Sequence, residues 1–499
     1  MRNIIYKTLM IGALSLSMAS CDMNQEPSNG TDFDKAWNTV EDVMKFRTGM
    51  YSLYMKMSGG IYDIVPDIQS DLFNASIGFG NNRGDMYRWD FSASQRDIEG
   101  FWKNSFSCIL EANGIINNIG KVEDNVTSSN LKPEDITKEL ATLKNIKGEA
   151  HLMRAVFYHS LVIRFAKDYN PSTAVSELGL PIVIKIDVKD RPKRASLQET
   201  YEFIKGDIAE ARKLLTVEGK ANTNYFSVDV IDALEARVNL YMHKFDDAIK
   251  IADKLVGKYP LVTTEEAFHK QWLNDESSEL IFNNFASEDE RYSSYGHYLS
   301  YNTKEDVYNP YYIPSAWVVD LYEDEDLRSK EFFLKHAIIS YDVRVDDVFL
   351  FNKYPGNPSL KKQDHDYYHM GKPFRIAELY LIAAESAYMN QDEGTAKKWL
   401  NNLRTARGAS EITSSGDTLF EEIKEEWVRE FIGEGMRIDQ LKRWGDGFTR
   451  KGPQNNEIVM QGDKNIGLVI PANNEKFVWE IPTNDLSANT NLEPNWKQD

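Results

Sequence analysis

The segment EWVREFIGEGMRIDQLKRWG, residues 426–445, combines a narrow apolar ridge with charges of both signs, and it indicates how the chain folds. Ile423, Trp427 and Phe431 recur every four residues, as on one side of a helix, and we predict a last long helix over about Phe420 to Trp444. The charged residues alternate in sign at helical spacings: Arg429, Glu430, Glu434, Arg437, Asp439 and Arg443. They form either a charged active cluster or a buried lattice of ion pairs that fastens the helix to a scaffold, and the lattice is favoured.

Helical periodicity extends along most of the chain. From Leu140 to Phe165, apolar residues fall three or four positions apart and form one stripe. Further helices are predicted over Leu197 to Leu215, Val228 to His243 and Asp246 to Lys258. The short corner between the last two forces an antiparallel pair that resembles a tetratricopeptide unit. The expected fold is therefore mostly α, a tetratricopeptide-like scaffold of helical hairpins with long irregular loops and a few short β-strands.

The N-terminus has the pattern of an export signal. Arg2 and Lys7 precede an apolar run that is shorter than the roughly 20 residues needed to span a bilayer. Small residues directly before Cys21 resemble a bacterial lipobox, in which the thiol is acylated, although an ordinary signal peptide cut near Ala19 is the alternative. We expect a lipoprotein signal peptide at 1–20, a lipidated cysteine and flexible spacer at 21–31, and a single helical domain at 32–499.

Composition and motifs narrow the classes of function. The net charge is −19, and −21 without the basic residues of the signal, so the acidic surface disfavours nucleic acid and anionic lipid. No phosphate loop, dinucleotide fingerprint, nucleophile elbow or His-x-x-x-His zinc spacing occurs in the sequence. We therefore expect no cofactor, no metal and no catalytic residue, although a glycosidase pair of carboxylates stays open.

Long irregular stretches are predicted at 60–101, 259–315 and 335–372, and two of them carry aromatic rings among amides. Exposed rings match the apolar faces of sugars, and amides match their hydroxyls. Seven tyrosines fall between Arg291 and Tyr312, where a core would use Phe or Leu. The alternative is that these tyrosines pack the loops onto the scaffold. The candidate ligand-binding residues are Asn81, Asn82, Arg83, Tyr87, Trp89, Tyr292, Tyr295, Tyr298, Tyr301 and Tyr308, and a third loop, Lys362 to Lys372, is a weaker candidate.

Three further segments accompany residues 426–445. They are Gly148 to Tyr158 with Leu180 to Val183, Arg375 to Ala387 with Leu400 to Gly408, and Trp479 to Pro482 with Asn489 to Leu492. Together the four segments resemble the SusD/RagB family of nutrient-binding outer-membrane lipoproteins. Residues 426–445 form the most specific of the four, and the order and spacing fit over essentially the whole mature chain.

The resemblance implies a function at the outer membrane of a Bacteroidetes-type bacterium. The family member would bind a glycan ligand without catalysis and deliver it to a TonB-dependent transporter of the SusC type. Asp22 and Glu26 resemble a surface-export signal, so a lipid-anchored, outward-facing protein is expected. Two alternatives stay open: a peptide- or protein-binding uptake lipoprotein of the RagB type, and a surface glycoside hydrolase.

Overall fold

Helices make up about half of the structure, a computed structural model that describes residues 36–187, 189–291, 295–459 and 465–496. The predicted signal peptide, Cys21 and the spacer lie outside the described residues. The helices of the first half are α1 (Val40–Met57), α2 (Ile61–Gln69), α3 (Gly84–Tyr87), α4 (Arg96–Thr127), α5 (Pro133–Phe165), α6 (Leu197–Leu214), α7 (Val228–Tyr241), α8 (Phe245–Val256) and α9 (Glu265–Leu273). Those of the second half are α10 (Ala316–Val319), α11 (Leu327–Phe332), α12 (Ile376–Met389), α13 (Glu393–Ala406), α14 (Gly416–Phe431), α15 (Arg437–Trp444) and α16 (Thr483–Ala488).

The strands are short and lie mainly in the predicted loop regions. They are β1 (Phe73–Ala75), β2 (Leu178–Pro181), β3 (Arg194–Ser196), β4 (Leu280–Phe282), β5 (Tyr301–Asn302), β6 (Val307–Tyr308), β7 (Tyr312–Pro314), β8 (Phe333–Ser340), β9 (Val343–Phe351), β10 (Phe374–Arg375), β11 (Phe448–Thr449) and β12 (Val469–Ile470). Four of them form one sheet in the order β5-β6-β8-β9, and the others pair as β1-β7, β4-β10, β2-β3 and β11-β12. The stretch 335–372, expected to be irregular, therefore begins with most of a β-hairpin.

Neighbouring helices pack as hairpins, which confirms the predicted scaffold. Helices α4 and α5, α5 and α6, α7 and α8, and α12 and α13 pack against each other, and α8 also packs on α12. The stripe along α5 is buried from Leu143 to Phe165, and small alanines lie fully buried in α7 and α8. Helix α6 begins at Leu197 because Ser196 and Glu199 form a capping box. Within the described ranges, none of the helices is long and apolar enough to cross a membrane.

The last helix is interrupted, contrary to the single helix predicted over Phe420 to Trp444. Helix α14 ends at Phe431, and α15 begins at Arg437. Between them Gly433 and Gly435 have φ values of +81° and +69°, which side chains other than glycine rarely adopt. A Cβ atom at Gly433 would also lie 2.1 Å from Cζ of Phe351. The turn therefore requires glycine for two reasons: the left-handed backbone conformation and the lack of room for a side chain at Gly433.

The carboxylate of Glu430 is at the centre of a buried ion-pair lattice. It accepts hydrogen bonds from Nη1 of Arg375 at 2.6 Å, Nε of Arg407 at 3.1 Å and Nη1 of Arg328 at 3.2 Å. All four side chains are fully buried. Burial would raise the pKa of Glu430, but the three guanidinium groups outweigh it and hold that pKa well below its usual range.

Glu426, one helical turn before Glu430, extends the lattice. It pairs with Arg328 at 2.7 Å, Arg404 at 2.7 Å and Arg429 at 3.0 Å. Burial opposes ionisation, yet these arginines lower the pKa of Glu426 to about 2. Because the partners come from distant parts of the chain, the lattice fastens α14 to the scaffold. The favoured interpretation of residues 426–445 is therefore confirmed.

Candidate ligand-binding surface

Two loops that the sequence predicted separately lie against each other. The first loop, residues 76–89, follows β1, and the second loop, residues 295–311, precedes β7. Strands β1 and β7 pair antiparallel, with Asn74 opposite Ile313. The hydroxyl of Tyr312 donates to the carbonyl of Asn82, and Nη1 of Arg83 lies 3.0 Å from Nε2 of His297. The structure therefore brings the two candidate loops together into one surface.

Several candidate rings are buried, which corrects the expectation that they are exposed. Tyr87, Trp89, Tyr298 and Tyr308 all lie in the core. The hydroxyl of Tyr87 donates to the carbonyl of Asn465 at 3.0 Å, and Nε1 of Trp89 donates to the carbonyl of Gln69 at 2.7 Å. Tyr87 and Trp89 can replace Phe or Leu in a core because their polar atoms find backbone partners there. They pack the loops onto the scaffold, as the alternative interpretation proposed.

Tyr298 shows the same packing role within the second loop. Its ring stacks on Phe73 with centroids 4.6 Å apart, and it meets Phe351 edge-on at 5.1 Å. The remaining tyrosines at the start of the predicted stretch are not placed: Tyr292 and the side chain of Tyr295 lie outside the described residues. Contact between these two residues and a ligand stays a prediction.

The polar residues of the first loop are held in place at the surface. Asn81 and Arg83 adopt left-handed backbone conformations, with φ values of 56° and 54°. Oδ1 of Asn81 accepts from Nη2 of Arg88 at 2.6 Å. Arg83 donates to Oδ1 of Asn82 at 2.6 Å and pairs with Asp97 at 3.1 Å, at the start of α4. Amides and guanidinium groups of this loop are therefore fixed before a ligand arrives.

An aromatic platform on the second and third loops has Tyr301 at its centre. The Tyr301 ring stacks on the exposed ring of His365, with centroids 3.9 Å apart and planes at 29°. Its hydroxyl donates to Oδ1 of Asp306 at 2.6 Å, a hydrogen bond that raises the pKa of Tyr301. Tyr308, 4.9 Å away, supports the platform from the core side. Tyr301 is thus the candidate tyrosine that the structure places at the surface.

Tyr341 is a surface ring that sequence reasoning missed. It lies at the tip of the β8–β9 hairpin, is 70% exposed, and has a φ of 46°, followed by Asp342 at 64°. Left-handed backbone at both central residues of a two-residue hairpin turn is usually supplied by Asn and Gly. The tip lies against the first loop, because Ser340 Oγ accepts from the backbone nitrogen of Gly78 at 2.7 Å. The sequence feature that could have revealed this turn is the pair Tyr341-Asp342, which stands between two runs rich in β-branched residues.

Comparisons with known proteins identify the class to which this fold and loop surface belong. The sequence model of the SusD family matches residues 344–497, and a second family, described as starch-binding and associating with the outer membrane, matches residues 24–240. The SusD-like protein P38 of Formosa agariphila is 22% identical, with 99% of each chain aligned. Two solved structures share the fold. A SusD superfamily protein of Bacteroides thetaiotaomicron has a TM-score of 0.74 and 23% identity, and the match covers 92% of this chain and 100% of that chain. A putative sugar binding protein of Bacteroides vulgatus has a TM-score of 0.72 and 22% identity, and the match covers 92% of this chain and 99% of that chain.

The architecture is thus that of the SusD superfamily. Two SusD-type family models match this chain, over residues 24–240 and 344–497, and these ranges include the segments at 148–158, 375–387 and 426–445.

Proposed function

We propose that this chain binds a nutrient glycan, an oligo- or polysaccharide, without catalysis, and delivers it to a partner transporter. The observation that best supports this is the stacked Tyr301–His365 pair on the second and third loops, together with the fixed polar side chains of the first loop, which contacts the second loop at His297. An open ring face matches the apolar face of a sugar, and groups already held in place lose little entropy on binding. The description of one matching family as starch-binding points to the same class of ligand.

Calorimetry with a single-ring substitution tests the binding role. The chain from Asp22 to Asp499 is titrated with neutral polysaccharides and with peptides, alone and as Tyr301→Ala. Removing one stacked ring costs about 0.5–1.5 kcal/mol, so affinity should fall about 2- to 10-fold. Tyr388→Ala is the matched control, because Tyr388 also stacks, on Phe420 at 4.7 Å, but lies on α12.

The titration also separates the proposal from its alternatives. Binding of peptides with no binding of polysaccharides would favour an uptake protein of the RagB type. Release of shortened products from a polysaccharide would favour a glycoside hydrolase. If the unaltered chain and Tyr301→Ala bind a polysaccharide with equal affinity, the Tyr301–His365 platform is not part of the binding site.

We further propose that Cys21 carries lipid, that the protein faces outward from the outer membrane, and that its partner is a SusC-like TonB-dependent transporter. The residues around Cys21 and the family description, associating with the outer membrane, support this location. Radioactive palmitate should label the unaltered chain in cells but not Cys21→Ser. Label retained by Cys21→Ser would contradict the anchor. Recovery of the detergent-extracted protein without any transporter would count against the partner.

A further inference from the structure

Two large aromatic side chains outside the candidate surface point into solvent. Phe285 is 55% exposed and Tyr225 is 47% exposed. The neighbours of Phe285 on both sides, Asn284 and Ala286, are buried, and the backbone nitrogen of Asn284 donates to the carbonyl of Gly371 at 2.8 Å. The Phe285 ring is thus presented by a well-anchored backbone. Single exposed apolar side chains are common on protein surfaces, so the case for a contact surface depends on a second exposed ring nearby.

Tyr225 is held by a layered arrangement that leaves one side of its ring open. The guanidinium carbon of Arg47 lies 3.8 Å from the ring centroid, and Tyr51 meets the ring edge-on at 5.1 Å. Arg47 itself is fixed by two hydrogen bonds of 2.6 Å to the buried carboxylate of Glu149. A guanidinium on one face of an aromatic ring stabilises the ring's position. The opposite face is then available as a rigid platform.

Tyr225 and the residue before Phe285 are attached to helix α1 and to Ser58, the residue that directly follows it. Tyr225 packs on Tyr51, and Nδ2 of Asn284, next to Phe285, donates to Oγ of Ser58. Tyr51 and Ser58 are seven residues apart, so the two attachment points are about 10 Å apart along the helix axis at 1.5 Å per residue. We call Tyr225 and Phe285 the outer platform.

The outer platform is joined to the candidate ligand-binding surface through residues 360–372, that is, the third loop and the two residues before it. The guanidinium of Arg291 lies 4.0 Å from the ring centroid of Tyr368 and donates to the carbonyl of Leu360. Ala286, directly after Phe285, packs in one apolar cluster with Leu360. The same loop carries His365, which stacks on Tyr301. One segment of chain therefore links the two sets of rings.

Two cations near the outer platform are paired with acids. Arg47 is neutralised by Glu149, and Nζ of Lys362 lies 3.5 Å from Asp289. An amide lies beside Tyr225: Nδ2 of Asn224 donates to the carbonyl of Asn283 at 3.0 Å, and among the described residues its Oδ1 accepts no hydrogen bond. Open ring faces and an available amide oxygen complement a neutral, hydroxyl-rich ligand, and the exposed carboxylates of Glu288 and Glu290 disfavour an anionic one.

We propose that the outer platform is a second glycan subsite, which binds another part of the neutral polysaccharide chain held at Tyr301 and His365. This inference rests on the proposed function. A chain that reaches both sets of rings binds the second without losing further translational freedom, which raises its apparent affinity over that of a short oligosaccharide. The protein would then favour long internal stretches of polysaccharide over chain ends.

Affinity electrophoresis of the chain from Asp22 to Asp499 tests the subsite. Native gels contain amylopectin, xylan, mannan or laminarin, and the double variant Tyr225→Leu/Phe285→Leu keeps apolar bulk but removes the flat rings. The double variant should bind the retarding polysaccharide at least about 5-fold more weakly, and bind its tetrasaccharide as tightly as the unaltered chain. Tyr301→Ala should weaken binding of both. Unchanged melting temperatures verify that the variants fold, as the exposure of both rings predicts.

Each other outcome overturns part of the reasoning. Equal retardation of the double variant and the unaltered chain would remove the outer platform and leave the function at Tyr301 intact. Equal retardation combined with loss of transporter co-purification would assign the platform to a protein interface instead. No retardation of the unaltered chain in any gel would contradict the proposed function, and the subsite with it.

Discussion

Replacing Glu430 by glutamine tests how strongly the buried lattice stabilises the protein. The side chain keeps its size but loses its charge, and it faces Arg328, Arg375 and Arg407, all fully buried. Removing one partner of a buried ion pair typically costs about 3–5 kcal/mol. Each arginine keeps another acid, for example Glu279 at 2.6 Å from Arg407, so we expect the lower end, about 3 kcal/mol.

Urea denaturation followed by far-ultraviolet circular dichroism measures the free energy of unfolding. The matched control is Glu425→Gln, the same chemical change on the same helix. Glu425 pairs with Arg429 at 3.0 Å, but its side chain is 42% exposed, so its loss should cost less than about 1 kcal/mol. The reasoning fails if the two substitutions shift the unfolding midpoint equally, because the lattice would then be no stronger than a surface pair.

Three further substitutions or conditions extend these tests. In urea denaturation, Gly433→Ala should lower the free energy of unfolding by about 3 kcal/mol or more. The control Gly467→Ala has a similar φ of +79° but open space around it, so it should cost only about 1 kcal/mol. Equal costs would show that backbone strain alone decides the effect. Tyr341→Gly should raise the free energy of unfolding by about 0.5–1 kcal/mol, because glycine adopts the left-handed backbone of this turn without strain. The same substitution should weaken glycan binding. Unchanged affinity would show that Tyr341 is not part of the ligand-binding surface. Thermal unfolding against pH should give greatest stability at about pH 4 to 4.5. The contribution of Glu426, whose pKa falls from 4.5 to about 2, is lost as pH falls from 4.5 to 2, and the contribution of Asp67, whose pKa burial raises from 3.8 to about 7, is full below pH 3.8 and is lost progressively as pH rises to 7. A decline between about pH 4.5 and 7 that is as steep in Asp67→Asn as in the unaltered chain would contradict the assignment to Asp67.

The scaffold could be predicted from the sequence because its signals are local. Helical periodicity from Leu140 to Phe165 requires only neighbouring turns, and the resulting stripe is buried as expected. The alternating charges of residues 426–445 indicated a lattice because like charges at helical spacing need intervening partners. The partners themselves could not be predicted, because Arg328, Arg375 and Arg407 come from separate elements.

The candidate surface was predicted only in part because burial there depends on distant contacts. Tyr87 looked exposed among polar residues, yet its hydroxyl finds a backbone carbonyl at Asn465, far along the chain. The two loops meet because β1 pairs with β7, a register that neither loop reveals alone. Tyr301 is half-buried at the surface, and its contact with a ligand stays a prediction. Tyr341 was missed because a single tyrosine in a predicted irregular stretch carries no periodic signal.

The lattice around Glu430 has a consequence for how the chain is made. If the protein is exported, as its first 20 residues predict, it crosses the inner membrane unfolded and N-terminus first. Until α14 emerges, Arg328 can pair with Asp326 and Arg407 with Glu279, but Arg375 lacks both of its acids, Glu430 and Glu434, so burying it would leave its charge uncompensated. We therefore expect Arg375 to postpone collapse of this part of the core until nearly the whole chain has arrived. A nascent chain whose core folds late in this way stays unfolded enough to be translocated, and it folds only when synthesis and export are complete.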